Sequence, residues 1–335
     1  RLVGLGDVYK RQAKIFAFFG IGVGLLGIGT FTQVNGISSA VNNFFDSNNA
    51  WTVSLFGRTY SWTVVISCLI LTFCVALVLI GGIQRISKVA QVIVPFMAAT
   101  YFLAGILIIL FNITDVPAAI LTIVQSAFGL KAAAGGALGA MVVAMQKGIA
   151  RGIFSNEAGL GSAPIAAAAA RTNEPVRQGL VSMTATFIDT IIICSITGIA
   201  IVLTGAYDMG LEGVAVTTKA FQLGLPFPDG VASFILMLCL VFFAFTTILG
   251  WDYYSERCLE YLTNGKKKCI KAYRWIYILC VFIGPYMTVS AVWTIADIFN
   301  GLMAIPNLIA LVALNGVVAK ETKDYLDRIK KKEID

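Results

Sequence analysis

Histidine is absent from this chain of 335 residues, and charged side chains are scarce, at 13% of the composition. The lack of imidazole excludes histidine acid–base catalysis and histidine metal ligands. Soluble domains carry about 25% charged residues, because charge must cover their water-exposed surface. With 58% apolar residues, the chain is not a soluble enzyme, a disordered segment or a disulfide-rich secreted domain. The composition instead predicts a membrane protein with several spans.

The chain also lacks the motifs of common enzymes. The sequence contains no Ser/His/Asp set, no Walker motif and no cluster of metal ligands. Its seven cysteines form no C-x-x-C pair, and most of them lie in apolar runs, where a thiol packs as a small hydrophobic group. We therefore expect a protein that is not an enzyme and that needs no cofactor.

One interpretation is that the first twelve residues do not belong to the natural protein sequence. Residues 7–12, Asp-Val-Tyr-Lys-Arg-Gln, match one frame of the mosaic-end adaptor used in transposase-based DNA sequencing. We expect residues 1–12 to be adaptor read-through, with protein sequence beginning near Ala13. The alternative is a basic segment beside the membrane, and recovery of the intact gene distinguishes the two.

Long apolar runs predict transmembrane helices, each of which needs about 20 residues at 1.5 Å per residue. The runs show no alternation of apolar and polar positions, which favours helices over strands. The run 275–318 is long enough for two helices that fold back between Pro285 and Trp293. We expect an all-α polytopic membrane protein with about eight transmembrane helices; the other spans are 15–41, 62–80, 89–111, 132–170, 179–204 and 231–251.

Segment 132–170 predicts a discontinuous helix. As one straight helix it would be about 58 Å long, well beyond the thickness of the hydrocarbon core. Its centre contains Gly159, Gly161 and Pro164, residue types that interrupt helical hydrogen bonding. We therefore expect one crossing made of two half-helices around an unwound middle.

The distribution of Lys and Arg predicts the orientation in the membrane. With the N-terminus inside, the outside loops carry only Arg58, Lys131 and Lys219 of the 25 basic residues. Cytoplasmic loops typically carry an excess of Lys and Arg, so the loops on the basic side are predicted to face the cytoplasm. Both ends are therefore expected in the cytoplasm, with residues 319–335 as a basic tail and residues 112–131 as an external amphipathic segment. The net charge of +7 follows from this topology and indicates no nucleic-acid partner.

Polar residues cluster at the predicted break. Ser155, Asn156 and Glu157 lie beside its glycines, and polar groups at this depth are costly unless protein or water satisfies them. Half-helix ends carry partial charges that suit an amino-acid zwitterion and a monovalent cation. The alternative is a kink in which Glu157 pairs with Arg151 or Lys147, and the two interpretations are compatible.

Two further spans contain candidate ligands. Thr246 and Thr247 are adjacent hydroxyls in an apolar run, where they either bind a hard cation such as Na⁺ or donate to helix carbonyls. Trp251 follows one turn later and is either a pocket wall or an interfacial tryptophan. Gln33 lies in a glycine-rich run and either lines a pocket or joins two helices, whose close packing the glycines permit.

Asp189, Asp297 and Asn300 are the remaining polar candidates inside apolar runs. A carboxylate in a span needs a partner or a water-filled path. We expect Asp189 to have a partnered structural or gating role, and we expect Asp297 and Asn300 to be gating candidates.

At these positions the sequence resembles the alanine or glycine:cation symporters, also called sodium:alanine symporters. The run 148–166, Gly-Ile-Ala-Arg-Gly-Ile-Phe-Ser-Asn-Glu-Ala-Gly-Leu-Gly-Ser-Ala-Pro-Ile-Ala, is similar to the signature of that family. Residues 175–190, 243–251 and 300–311 also agree, and residues 27–39 agree more loosely. Family members often carry a histidine after the signature, where this chain has alanines.

The resemblance implies a leucine-transporter-type fold with two inverted repeats of five helices. On that pattern, residues 13–111 are core helices three to five and residues 132–318 are core helices six to ten. Thr246 and Thr247 are then Na⁺ ligands. The residues implied near the substrate are Gln33, Ser155, Asn156, Glu157, Gly159, Gly161 and Trp251.

The first two core helices of the family pattern are not in the chain. The resemblance therefore implies an N-terminally truncated protein whose Na⁺ site lacks the backbone carbonyls of the first core helix. Such a fragment is not expected to transport by itself.

Together these expectations describe a secondary active transporter of the plasma membrane that couples Na⁺ to the uptake of alanine, glycine or a similar small neutral amino acid. Na⁺ is the coupling ion, and the lipid bilayer is the surrounding partner. A proton-coupled amino acid carrier that uses Glu157 or Asp189 is one alternative. A membrane sensor or structural subunit without transport activity is another.

Overall fold

The computed structural model describes residues 8–55, 57–128 and 136–331, most of which are helical. The all-α prediction is confirmed, and the only strands in these ranges form one antiparallel hairpin, β1 Thr52–Leu55 and β2 Arg58–Ser61. The helices in chain order are α1 Val8–Leu26, α2 Phe31–Phe45, α3 Trp62–Ile80, α4 Gly82–Phe111, α5 Val116–Ala127, α6 Ala137–Asn156, α7 Ala163–Ala167, α8 Pro175–Thr186, α9 Ser195–Leu203, α10 Val214–Gly224, α11 Asp229–Thr263, α12 Lys267–Ile283 and α13 Val289–Lys330. A π-helical segment, Phe187–Cys194, joins α8 to α9, and 3-10 turns cover Ala206–Asp208 and Gly284–Tyr286.

Six helical stretches among the described residues are long and apolar enough to cross a membrane. The prediction of a multi-pass membrane protein is confirmed. Two of the eight predicted crossings are not among the six: the broken one, whose α6 carries Lys147 and Arg151, and α12, which has 17 residues and begins with lysines. The six are Lys10–Phe45, Trp62–Ile80, Gly82–Phe111, Pro175–Leu203, Asp229–Thr263 and Val289–Lys330.

The expected break in segment 132–170 is present. α6 ends at Asn156, and Glu157 adopts the left-handed conformation with a φ of 56°. Gly159 and Gly161 follow with φ values of +80° and +89°, which glycine adopts without the cost of about 1–2 kcal/mol that a side chain adds. The chain becomes helical again at α7, where proline is placed in the first turn and needs no N–H partner. The glycines and the proline therefore mark the unwound residues 157–162.

The first span differs from the predicted continuous helix over 15–41. α1 ends at Leu26 and α2 begins at Phe31, so a second break occupies residues 27–30. The N–H groups of Gly27 and Gly29 both point to the carbonyl of Val23, at 3.0 and 3.3 Å. The sequence did not reveal this break, because the run around it contains neither proline nor a charged residue, and glycine in such a run is equally consistent with helix packing.

Glycines of this first span also permit close helix packing, as the sequence predicts. A Cβ added at Gly24 would lie 2.2 Å from Ser255 Oγ, and one added at Gly29 would lie 2.5 Å from Trp251 Cβ. Neither position has room for a side chain, so α1 and the second break lie directly against α11.

α11 is the central helix of the fold. It packs against α1, α2, α3, α4, α10 and α12. Each of three apolar clusters includes at least one of its buried residues, represented by Leu236, Leu249 and Trp251. Both breaks are therefore positioned against one continuous helix.

The last two helices follow the predicted fold-back of run 275–318. α12 and α13 meet at the 3-10 turn Gly284–Tyr286, and Trp293 already lies inside α13. α13 continues to Lys330 without interruption, so residues 319–330 extend the last span as helix. Within residues 112–128 the expected short helix is α5, whereas the hairpin and α10 were not predicted.

Candidate functional site

Glu157 is held at the first break by donors from two places in the chain. Trp251 of α11 donates its Nε1–H to Glu157 Oε1 over 2.9 Å, and Ser162 donates its hydroxyl to Oε2. Ser162 is completely buried, and Trp251 is only 2% exposed, so Trp251 is a buried wall rather than an interfacial tryptophan. Hydrogen bonds to a carboxylate are short and strong. Glu157 therefore ties both ends of the break to α11.

Arg151 pairs with a residue other than Glu157. Its Nη2 lies 2.7 Å from Asp297 Oδ2, and its guanidinium lies 4.4 Å from the centre of the Trp293 ring. The kink in which Glu157 pairs with Arg151 or Lys147 is therefore not the arrangement of the described residues. The Arg151–Asp297 pair instead joins α6 to α13.

Ser155 and Asn156 bind the π-helical segment. Ser155 donates to Asp189 Oδ2 over 2.7 Å, and Asn156 Nδ2 donates to Thr190 Oγ1 over 2.7 Å. A π-helix adds a residue to the turn and often occurs at functional sites. Asp189 thus has the partner that its place in a span requires.

A cavity of about 190 Å³ lies beside the Ser155–Asp189 pair. Its other walls are mostly apolar and include Tyr101 and Phe243. Tyr101 Oη lies 2.6 Å from Thr197 Oγ1. Because Ser155 and Phe243 both line the cavity, it extends from the end of α6 to α11.

The middle of the break is supported by α13. Asn307 Nδ2 donates to the carbonyl of Gly159 over 2.8 Å. A Cβ at Gly161 would lie 2.7 Å from Phe16 Cε2 and 2.8 Å from Asn307 Cγ. Within the described part of the chain, the N–H groups of Gly159 and Gly161 form no hydrogen bond. These unpaired donors suit an anionic group.

The second break meets the first through Trp251. Gly29 packs on the Trp251 side chain, as the short Cβ distance requires, and Ile28 shares an apolar cluster with Trp251 and Leu160. The Gln33 side chain contacts this break, since its Nε2 donates to the Ile28 carbonyl over 3.0 Å. Gln33 is therefore near the site through its neighbours and forms no described hydrogen bond with Glu157 or Trp251.

Thr246 and Thr247 donate to helix carbonyls. Thr246 Oγ1 lies 2.9 Å and Thr247 Oγ1 also lies 2.9 Å from the carbonyl of Phe243. This is the local bonding that threonine usually forms in helices, and it leaves the oxygen lone pairs available to a cation. Among the described residues, no hydrogen bond joins either threonine to Glu157 or Gln33.

Asn300 is a buried polar residue on α13. It is 7% exposed, and its Oδ1 has no hydrogen-bond partner among the described residues. A buried amide oxygen without a donor costs free energy. Asn300 thus offers an acceptor in the same helix that supports Gly159.

An acidic pair, Asp252 and Glu256, follows Trp251 on α11 and was not predicted from the sequence. Asp252 is 2% exposed and Glu256 is 5% exposed. Glu256 pairs with Arg274 at 2.6 Å and with Arg257 at 2.9 Å, whereas Asp252 Oδ1 has no partner among the described residues. The signal was the spacing of four residues between the two acids. It was missed because both follow the apolar run, where a solvated helix end is expected.

The comparisons with known proteins agree with the resemblance. The sodium:alanine symporter family matches residues 4–335. A Haemophilus influenzae protein described as an uncharacterized transporter is 51% identical over 329 residues, which cover 98% of this chain and 68% of that protein. The sodium/alanine symporter AgcS of Methanococcus maripaludis is 43% identical over 334 residues, with coverage of 98% and 67%.

A third relative extends the range of named substrates. The Bacillus subtilis protein named "Probable sodium/glutamine symporter GlnT" is 40% identical over 283 residues, which cover 84% of this chain and 58% of the relative. This chain thus spans about two thirds of the length of the first two relatives and less of the third. The relatives are transporters rather than enzymes. The chain belongs to the sodium:alanine symporter family of cation-coupled amino acid transporters.

Proposed function

We propose that this protein transports alanine, glycine or a similar small neutral amino acid together with Na⁺. The observation that carries the proposal is the break at 157–162, where Trp251 binds Glu157 and two glycine N–H groups remain unpaired. The named activity of the Methanococcus relative supports alanine. The name of the Bacillus relative makes glutamine the competing substrate.

The amino-acid carboxylate binds the N–H groups of Gly159 and Gly161 in this proposal. Both N–H groups lack a hydrogen-bond partner among the described residues, so they are available to donate to a carboxylate. The ammonium group binds carbonyl oxygens at the break, beside the negative charge of Glu157. The buried ring of Trp251 limits the space for the substrate side chain, which favours small substrates.

Na⁺ binds the hydroxyl oxygens of Thr246 and Thr247 in the same proposal. Hard cations prefer oxygen ligands, and both hydroxyl groups retain lone pairs. The remaining ligands come from the part of the relatives that this chain does not span. Ligand binding then stabilises one arrangement of the break, and the two predicted repeats move relative to each other to expose the site on the other side. Both ends of the chain lie in the cytoplasm.

A graft into the Methanococcus symporter tests the proposal. Residues 13–335 replace the matching part of that relative, and uptake of labelled alanine, glycine and glutamine is measured in vesicles with and without a Na⁺ gradient. We expect Na⁺-driven uptake of alanine or glycine. Replacement of both threonines by valine keeps their shape and removes their hydroxyls, so it should raise the Na⁺ concentration for half-maximal uptake by at least tenfold, whereas replacement by serine should not.

Three results contradict the proposal. Uptake that a pH gradient drives equally well after Na⁺ and Li⁺ are removed would assign the coupling to protons, with Glu157 and Asp189 as the carriers to test. A valine pair that leaves the Na⁺ dependence unchanged would remove Thr246 and Thr247 from the cation site. A well-folded graft that transports none of the three amino acids would contradict the substrate class.

A further inference from the structure

We propose that a groove beside the start of α12 binds the headgroup of an anionic phospholipid. The groove, named the α12 groove, runs between α12 and the end of α3, and its walls include Leu79, Ile80, Lys267, Lys271 and Trp275. It encloses about 580 Å³. Its lining contains no residue of the break at 157–162 and neither threonine of the pair. The proposal is therefore independent of the transport function.

The arginines of the groove are already neutralised. Arg274 lies 2.6 Å from Glu256, and Arg257 lies 2.9 Å from the same carboxylate. Arg257 also pairs with Glu260 on the next turn. The two acidic and the two arginine side chains that line the groove therefore balance, and the arginines have little capacity for a further anion.

The lysines carry the uncompensated charge. Within the described ranges, Lys267 and Lys271 have no carboxylate oxygen within 4.0 Å. The first turn of α12 contains no acidic residue, and its N-cap Lys266 forms no side-chain cap. The positive end of the helix dipole therefore adds to the two ammonium groups. Together they favour a phosphate over any cationic or neutral ligand.

The order of side chains along α12 distinguishes a lipid from a free anion. Lys267, Lys271, Trp275 and Leu279 are spaced by four residues, so they follow one side of the helix over about 18 Å. Trp275 is 59% exposed and Leu279 is 54% exposed. Ammonium groups, an indole and then an aliphatic chain match the phosphate, interface and acyl region of a lipid leaflet. An inorganic phosphate ion would use the lysines and leave the exposed apolar part uncovered.

Native mass spectrometry of the detergent-purified chain tests the proposal with defined lipids. Phosphatidylglycerol and phosphatidylcholine with identical acyl chains are offered in equal amounts. We expect retention of one phosphatidylglycerol in preference to phosphatidylcholine. The double variant Lys267→Gln/Lys271→Gln should bind phosphatidylglycerol with roughly 30-fold lower affinity. Each basic residue near an anionic lipid contributes about fivefold to the affinity, and the two contributions multiply.

A matched control has the same loss of charge elsewhere. Lys320→Gln/Lys323→Gln removes two exposed lysines of α13, and it should leave phosphatidylglycerol retention unchanged. Lys267→Arg/Lys271→Arg should restore binding, because it restores the charge. Equal losses in the α12 and α13 double variants would show general attraction of anionic lipid and overturn the site.

Two measurements on the unmodified chain avoid dependence on the folding of a variant. Phosphatidylglycerol should slow amine-reactive labelling of Lys267 and Lys271 several-fold, with no effect on Lys320 and Lys323. Glycerol 3-phosphate and inorganic phosphate, which lack acyl chains, should give no such protection at the same concentration. Equal protection by inorganic phosphate would assign the groove to a free anion, and no protection by phosphatidylglycerol would overturn the proposal.

Discussion

Trp251 and Glu157 connect the two interruptions of the fold through one side chain. The indole N–H donates to Glu157 Oε1 over 2.9 Å, while the Cβ of the same tryptophan lies against Gly29 in the second break. One residue of the central helix therefore contacts both breaks. A change in the position of either break alters the packing of Trp251.

Trp251→Phe removes the N–H and keeps most of the ring. We expect the free energy of unfolding to fall by about 1.5–3 kcal/mol, because a buried carboxylate oxygen loses its donor. Thermal unfolding of the detergent-purified protein measures this loss. The same substitution in a Glu157→Gln background should cost distinctly less, and an equal cost would show that the hydrogen bond contributes nothing. Trp51→Phe, at a tryptophan that is 73% exposed, is the control.

Gly161→Ala tests the close approach at the first break. The added Cβ would lie 2.7 Å from Phe16 Cε2, at a φ of +89°. We expect a loss of at least about 1–2 kcal/mol from backbone strain alone, with a further loss from displaced neighbours. Gly148→Ala is the matched control, because its Cβ meets nothing within 4 Å. Alanine in the helix interior there should stabilise α6 by up to about 1 kcal/mol, so the two substitutions should shift the melting temperature in opposite directions.

The acidic pair on α11 predicts opposite effects from two similar substitutions. Asp252→Asn removes a buried charge whose Oδ1 has no partner, so the melting temperature should rise or stay the same. Glu256→Gln weakens two ion pairs with half-exposed arginines and should cost about 1–3 kcal/mol. Thermal unfolding of both variants at neutral pH provides the comparison. A lower melting temperature for Asp252→Asn would show that this carboxylate has a stabilising partner.

Arg328 at the end of α13 predicts a pH dependence. Its guanidinium binds both oxygens of Glu174, at 2.9 and 2.8 Å, and these hydrogen bonds lower the pKa of the Glu174 carboxyl. The contribution of the pair is complete above the ordinary pKa of glutamate, and it is lost as the pH falls through the lowered value in the folded protein. The protection factors of the amides in residues 319–330, which are the intrinsic exchange rates at each pH relative to the observed rates, should therefore fall only in acid.

Two variants identify the source of that acid effect. Arg328→Gln should lower these protection factors at neutral pH and remove their further fall in acid. Lys330→Gln, on the same exposed turn, should change neither. An acid step that persists in Arg328→Gln would assign it to another carboxyl group.

The sequence predicted the first break and its polar residues, because glycine, proline and charge occur together only where a span is interrupted. It did not predict the break at 27–30, where the surrounding run contains neither proline nor a charged residue. The partners of Ser155 and Asn156 were also unpredictable, since the π-helical geometry that turns Asp189 and Thr190 toward α6 depends on tertiary packing. The sequence left two roles for Trp251, a pocket wall or an interfacial tryptophan. Its burial in the folded protein distinguishes them in favour of the wall.

α13 contacts the broken segment at three successive levels. Asp297 binds Arg151 before the break, Asn307 binds Gly159 within it, and Arg328 binds Glu174 after it. These positions are spread over about 46 Å of one helix. A hinge that opened at residues 157–162 alone would have to rotate against this continuous support. The motion that preserves all three contacts is one in which α6, the break and α13 move together as a single rigid unit.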